Sequence, residues 1–337
     1  MTRAKQERIY PLTFIPALKD YIWGGRNLEK LYGRRLPAGI IAESWEISGH
    51  PNGPSHVEFG PLQGKSLPEL VHLMGRDLVG TRPRWALERR KFPLLVKLLD
   101  AERDLSVQVH PNDDYATRHE NGELGKTEMW YVLQARPGAR IIFGLKSGVT
   151  PASFRQAIKT NTLNEQLHYL PVRPGDAIFV EAGSIHALLA GTMVAEIQQN
   201  SDTTYRVYDW GRVGVDGNPR PLHIEKALDV IDFARVEPGA YRPLPLGVTG
   251  GVARAEISRC PYFVVERLVF EAGATYRGHT NGSTFEIWGT VQGCSRLRWA
   301  GEPVVLPAIR WALLPAALGD FRVEAEQAST MLRVYVP

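Results

Sequence analysis

The sequence predicts a mainly β chain built as two similar sandwiches or barrels, on three observations. Short apolar runs recur along the 337 residues, among them FPLLVKLLD, LSVQVH, EMWYVL, RIIFGL, DAIFVEAG, TMVAEIQQ and YFVVERLVF. They are rich in Val, Ile and aromatics and are bounded by turn residues, as strands of an all-β fold are. Second, EMWYVLQ at 128–134 returns as EIWGTVQ at 286–292 with Glu, Trp and Gln in register, which suggests an internal repeat. Third, helical spacing is confined to three stretches. SLPELVHLMGRDLVG begins near residue 66. TPASFRQAIKTN has Thr150 as cap and Pro151 at its first position. PLHIEKALDVIDFAR begins near 221. RVEPGAYRPLPLGVTGG (235–251) is rich in Pro and Gly and reads as a linker. The predicted organisation is therefore a first domain over 1–235, a linker over 236–251 and a smaller second domain over 252–337.

Bulk composition narrows the function. A formal charge of +4 comes from scattered arginines such as Arg34, Arg35, Arg89 and Arg90, without the basic stripe interleaved with aromatics that nucleic acid favours. No nucleic-acid partner is expected. The basic start MTRAKQERIYPLTFIPALKD lacks the sustained apolar core of a signal peptide, and no run approaches the roughly 20 apolar residues of a membrane helix. Two cysteines, Cys260 and Cys294, argue against a disulfide framework or a thiolate zinc site. The expectation is a cytoplasmic protein; nothing in the sequence speaks to its oligomeric state.

Alternation points to a site. In LSVQVH, Leu105, Val107 and Val109 should face one way and Ser106, Gln108 and His110 the other. A second strand opens with Lys126 and Glu128 on one face. PVRPGDAIFVEAGSIHALLAG (171–191) reads turn, strand, turn, strand, with His186 opening the last. The separations of His110, Glu128 and His186 are too long for a local zinc loop but natural for ligands on neighbouring strands. Two His, a Glu and a neutral Gln oxygen suit Zn²⁺, and Fe, Mn or Co could also be held. His50, His56, His72, His119, His168 and His223 read as surface or internally satisfied histidines.

These residues carry a resemblance. PGDAIFVEAGSIH resembles the second cupin motif, G-x5-P-x-G-x2-H-x3-N, through Gly175, Gly183 and His186; Glu181 and Ala190 stand where the motif has Pro and Asn. YIWGGRNLEKLYG (21–33), AESWEISGHPNGPS (42–55), FPLLVKLLDAERDLSVQVHPND (92–113), GKTEMWYVL and QQNSDTTYRVYDWGR (198–212) together resemble the type I phosphomannose isomerases in their shorter bacterial form, a cupin family. The resemblance implies two cupin (jelly-roll) domains. It also implies one zinc ion per chain on Gln108, His110, Glu128 and His186, and a hexose 6-phosphate substrate. In the second barrel His279 and Glu286 fall near equivalent positions, but Asn281 replaces a possible His partner and no later His follows, so no metal is expected there.

The family's reaction interconverts mannose 6-phosphate and fructose 6-phosphate through a cis-enediol, which requires a base for the carbon-bound proton and stabilisation of the enediolate. Lys97 interrupts the apolar LLVKLL, where it needs an anionic partner or loses its charge. Lys126 shares the face of Glu128. In SDTTYRVYDWGR, alternation puts Thr204, Arg206 and Tyr208 together, and the family's active-site arginine falls on Arg206. Arg206 and Lys126 are thus the expected catalytic residues. Lys97, Lys126, Arg206, Trp23 and Glu43 are the expected substrate contacts, and Trp45 is expected to line the pocket with Trp23 and Glu43. The base is left open among water at the metal, Lys126 and Glu196. Two other functions use the same pocket: an Fe(II) cupin dioxygenase and a non-catalytic sugar-phosphate-binding cupin.

Overall fold

A computed structural model describes residues 9–213 and 217–337. The first eight residues of the basic start therefore lie outside the described residues. The chain is mainly β, as predicted, and its described residues form two compact units, each built from discontinuous segments: residues 18–44 with 97–241, and 9–17 with 45–96 and 242–337. This departs from the consecutive 1–235 and 252–337 division expected from the sequence. The reason lies in long-range pairing: Leu12 bridges to Leu313 and Gly80 to Thr284, tying early segments to the C-terminal sheet.

One six-stranded sheet lies largely in the unit of 18–44 and 97–241. Its order is Ala177–Val180, Glu128–Ala135, Thr192–Gln199, Leu94–Ala101, Glu43–Ser48, Ala17–Lys19. Against it lies a five-stranded sheet ordered Tyr205–Tyr208, Val107–Val109, His186–Leu188, Arg140–Leu145, Leu167–Pro171. Trp130, Val132, Ile141, Phe143, Ile178 and Leu188 fill one core cluster. The opposite face of the five-stranded sheet, with Val107, Val109, Ala187 and Val207, is covered by Phe154 and Ala157 of the helix Pro151–Lys159 and Ala227 of the helix Ile224–Val230. Both helices were expected. Thr150 caps the first by accepting from the Ser153 amide at 3.1 Å, satisfying a donor that helix geometry leaves orphaned. Leu105 breaks the expected parity: it packs in the Trp130 cluster, not with Val107 and Val109, because regular strand geometry starts only at Val107.

In the other unit a six-stranded sheet runs Leu244–Thr249, Val252–Arg259, Val264–Phe270, Ser329–Tyr335, Glu286–Gln292, Trp311–Leu314, and a four-stranded sheet runs Thr275–Thr280, Gly319–Glu324, Cys294–Arg298, Val304–Pro307. In both units the Glu-x-Trp strand is second from one sheet edge, so the sequence repeat is also a topological one. Gly289 stands at the repeat position of Tyr131; a Cβ there would lie 2.3 Å from the Trp311 ring, which fills that space instead. The third expected helix forms over Leu67–Met74, with a capping box between Ser66 and Glu69. Residues 236–251 are not simply a linker. Leu244–Thr249 pairs antiparallel with Val252–Arg259 across Gly250–Gly251, whose φ values of 57° and 76° are those a two-residue hairpin turn demands. Pro245 is tolerated because the strand is at the sheet edge. Among the described residues no helix is long and apolar enough to cross a membrane.

Candidate metal centre

Register brings the predicted residues together. Gln108 pairs directly with His186 on one neighbouring strand and with Arg206 on the other, so all three side chains share one face. Glu128 opens a strand of the six-stranded sheet, where Trp130 pairs with Glu196. His110 follows the end of the Val107–Val109 strand. The potential ligand atoms of His110, Glu128 and His186 lie within 4.8 Å of one another, and all three residues are buried.

Backbone carbonyls fix the tautomers of both imidazoles. His110 Nδ1 lies 2.9 Å from Thr203 O and His186 Nδ1 lies 2.9 Å from Ser184 O. A carbonyl can only accept, so each Nδ1 carries the proton and each Nε2 presents a lone pair. Those lone pairs face the Glu128 carboxylate: His186 Nε2 is 3.4 Å from Oε1 and His110 Nε2 is 3.6 Å from Oε2. Burial holds the His110 pKa well below the ordinary value, helped by the Lys126 charge. Burial likewise lowers His186 to about 4, so both rings are neutral at pH 7. Three acceptors converging in a buried place repel unless a cation sits among them. Burial, then the charge of Glu196, raises Glu128 to about 7. Lys126 supplies one positive charge, with Nζ 2.9 Å from Glu128 Oε2 and 3.1 Å from His110 Nε2. Neither Glu128 oxygen accepts a well-formed hydrogen bond. The donor set, with each ring oriented through its second nitrogen, fits a divalent metal ion. The Gln108 side-chain nitrogen lies 3.3 Å from His186 Nε2; rotation of the amide would turn its oxygen toward the same point.

Next to this cluster opens a polar cavity of about 290 Å³, at the small end of ligand pockets. Trp23, Glu43, Lys97, Lys126 and Arg206 line it with Gln108 and Glu196. Lys97 is buried between two carboxylates, 3.7 Å from Glu43 and 3.5 Å from Glu196. Burial alone would pull its pKa down; the two carboxylates outweigh burial and hold it above the usual lysine value. Burial would raise Glu196, but Lys126 and Lys97 override it and keep the carboxyl low. Glu196 Oε2 accepts from Trp130 Nε1 at 2.9 Å, whereas Oε1 accepts no hydrogen bond. Arg206 is anchored by donating to Ser106 Oγ at 3.2 Å and Pro221 O at 3.0 Å. Trp45 is a correction. It is fully buried and packs edge-on to His50 with ring centroids 5.9 Å apart, and it does not line the cavity.

Sequence reasoning missed Arg220, Asp202 and Tyr21, which also line the cavity. Arg220 is aimed by a two-pronged pair with Asp209, at 2.7 and 2.5 Å, and Asp209 also takes Arg212 at 2.6 Å. Asp209 stands in the quoted YDWGR segment, but nothing there points to Arg220. In the second unit, Glu286, the repeat equivalent of Glu128, accepts from Trp288 Nε1 at 2.8 Å and from Arg333 Nε at 2.8 Å. His279 pairs with Asp320 at 2.7 Å.

Residues 12–131 match the family model of the phosphomannose isomerase type I catalytic domain. A probable mannose-6-phosphate isomerase of Bacillus subtilis is 39% identical over 94% of this chain and 96% of its own length. The mannose-6-phosphate isomerase of Streptococcus mutans is 42% identical over 76% of this chain and 77% of its own. The crystal structure of the mannose 6-phosphate isomerase from Bacillus subtilis superposes with a TM-score of 0.87 at 34% identity, covering 96% of this chain and 99% of that one. With a curated relative of that similarity matched along nearly its whole length, the chain belongs to the type I phosphomannose isomerase family.

Proposed function

We propose that the chain interconverts mannose 6-phosphate and fructose 6-phosphate, with one zinc ion held by Gln108, His110, Glu128 and His186. The observation that carries this is the juxtaposition of a buried His–Glu–His acceptor cluster with a cavity edged by Lys97, Lys126, Arg206 and Arg220. Neutral nitrogen and oxygen donors of this kind suit zinc. When bound, the ion would polarise the sugar oxygens and stabilise the enediolate.

The protein's own residues do the rest. Arg206 and Arg220, permanently charged and pre-aimed, take phosphate or sugar oxygens; guanidinium forks match phosphate geometry. Lys97 is already paired with two carboxylates, so its task is to help keep Glu196 ionised at the substrate. Glu196 Oε1, charged and without a hydrogen-bond donor, is the base we assign. It removes the proton from C2 of mannose 6-phosphate as the C1 carbonyl oxygen gains one. It then delivers the proton to C1 as the O2 hydroxyl loses its own, leaving the ketose. Lys126 donates to these oxygens as charge develops on them. Trp23 and Glu43 close the cavity wall. The metal-bearing barrel and its repeat are read as cupin domains, and the cytoplasm as their compartment, in keeping with two free cysteines.

Purified chain should turn over mannose 6-phosphate in a coupled assay. In deuterium oxide it should incorporate label at C1 of the product. One equivalent of zinc should accompany the chain. Oxygen uptake without isomerisation would favour an Fe(II) dioxygenase, and binding without turnover a sensor; either outcome sinks the proposal.

A further inference from the structure

The outer face of the four-stranded sheet in the second unit carries a row of three arginines. Arg277 pairs directly with Arg322, and Arg322 pairs directly with Arg298. Residues directly opposite on neighbouring strands project to the same side, and like charges so placed are destabilising. Arg277 and Arg322 are exposed and Arg298 is half-buried, so solvent screens the repulsion without removing it. Neighbouring acids do not resolve it. Glu324 takes Arg298 at 2.5 Å, and Asp320 is held by His279 at 2.7 Å. Among the described residues no carboxylate pairs with Arg277 or Arg322.

The row is not on a flat surface. It lines a concavity of about 560 Å³ walled by Trp299, whose indole is oriented by donating Nε1–H to Glu302 O at 2.8 Å. Three guanidiniums on adjacent strands span roughly two strand spacings, about 10 Å. That width, with a fixed aromatic wall, fits a small molecule better than an extended polyanion. We propose that this face is a second anion site, for a small ligand bearing one or more phosphoryl groups. The guanidinium forks of Arg277 and Arg322 would hold the phosphate oxygens, and the body of the ligand would lie against Trp299. None of these residues belongs to the cavity beside His110 and His186, so the site stands or falls separately from the isomerase reading.

The test is a titration of the full-length, metal-loaded protein with inorganic phosphate, followed by the arginine Nε–H resonances in NMR. Those of Arg277 and Arg322, assigned through Arg277→Lys and Arg322→Lys, should shift and saturate. The same dissociation constant should be found in an Arg206→Ala background. Asp320→Asn, which removes a rim carboxylate, should tighten it at least threefold. In phosphate-free, low-salt buffer Arg322→Ser should melt above wild type, and phosphate should narrow that gap. Shifts no larger than those produced by equal chloride, or an unchanged constant in Asp320→Asn, would overturn the proposal.

Discussion

Replacing Lys97 by methionine tests the electrostatics of the cavity without touching the proposed metal ligands. The substitution keeps the length of the side chain in a buried place and removes one charge that two carboxylates share, Glu43 at 3.7 Å and Glu196 at 3.5 Å. At an effective dielectric near 20, each contact at such a distance is worth about 4–5 kcal/mol of attraction. Desolvation of the ammonium cancels several kcal/mol of that sum. Breaking a buried pair by deleting one partner typically costs about 3–5 kcal/mol, because the remaining charge is stranded. For a chain of this size that is a drop in melting temperature of about 4–7 °C. The pH dependence has a definite sign. In the native protein Lys97 helps hold the Glu196 pKa below its ordinary value, so its contribution is present above the unfolded carboxylate pKa and lost as pH falls through the folded one. Without Lys97 the carboxyl pKa rises, and the stranded charge is relieved by protonation in acid. The gap between Lys97→Met and wild type should therefore be widest at pH 7–8 and narrow toward pH 4–5, read by calorimetric melts across that range. Equal melting temperatures at pH 7.5, or a gap that widens in acid, would refute the assignment of Lys97 to the two carboxylates.

Other outcomes follow from the same geometry. His110→Ala should lower metal affinity at least 100-fold and abolish isomerisation while far-UV circular dichroism stays close to wild type; normal metal content by elemental analysis would remove His110 from the ligand set. Arg206→Ala should retain the metal and lose about 10–100-fold in kcat/KM, the value of one or two hydrogen bonds to a charged group; comparable metal loss would mean the guanidinium supports the centre instead. Because Glu128 is raised to about 7 in the ligand-free protein, protons should compete with metal below that pH. Apparent affinity should then fall up to tenfold per pH unit below 7 and level off above it, measured by competition with a chelator of known pH behaviour. Glu196→Gln should bind substrate with an unchanged constant while losing at least 100-fold in kcat; wild-type turnover would reassign the base.

The strand pattern was legible because the apolar runs are short and separated by turn residues. Two of the three expected helices have cap residues, Ser66 and Thr150, that are visible as such. The helix Asp113–His119, capped by the Asn112 side chain accepting from the Tyr115 amide, was hidden because Asn112 sits inside the QVHPND block read for its histidine. RPLPLGVTGG misled for a physical reason: Pro and Gly mark a linker and an edge strand with a glycine turn equally well. Periodicity called for a counter-charge at Lys97. It could not say which residues supply it, since Glu43 and Glu196 come from strands far apart in sequence. The resemblance singled out His110, Glu128 and His186, which the fold brings together; their tautomers left no trace in the sequence, since Thr203 O and Ser184 O are backbone acceptors that any residue provides. Arg220 left no signal, because an arginine in a polar stretch looks the same whether it is solvated or aimed into a cavity by Asp209.

Comparison of the two units suggests what sets the proposed metal site apart from an ordinary Glu-x-Trp strand. Glu128 and Glu286 occupy the same repeat position, are both buried, and both open a strand second from its sheet edge. Glu286 is satisfied within its own sheet: Arg333 lies on the adjacent strand, contacts both carboxylate oxygens, and Trp288 adds a third donor. Glu128 has no guanidinium on the strand beside it; Gln198 is its cross-strand partner, and Trp130 gives its N–H to Glu196 instead. The opposing sheet then brings two imidazoles to Glu128 with lone pairs facing inward, which adds acceptors where donors are short. A buried anion with too few donors and two neutral nitrogen bases beside it binds a divalent cation more strongly than it binds protons. The Glu-x-Trp pattern therefore marks the position but not the chemistry. What decides is whether the neighbouring strand offers an arginine, and that is settled more than forty residues away in the chain.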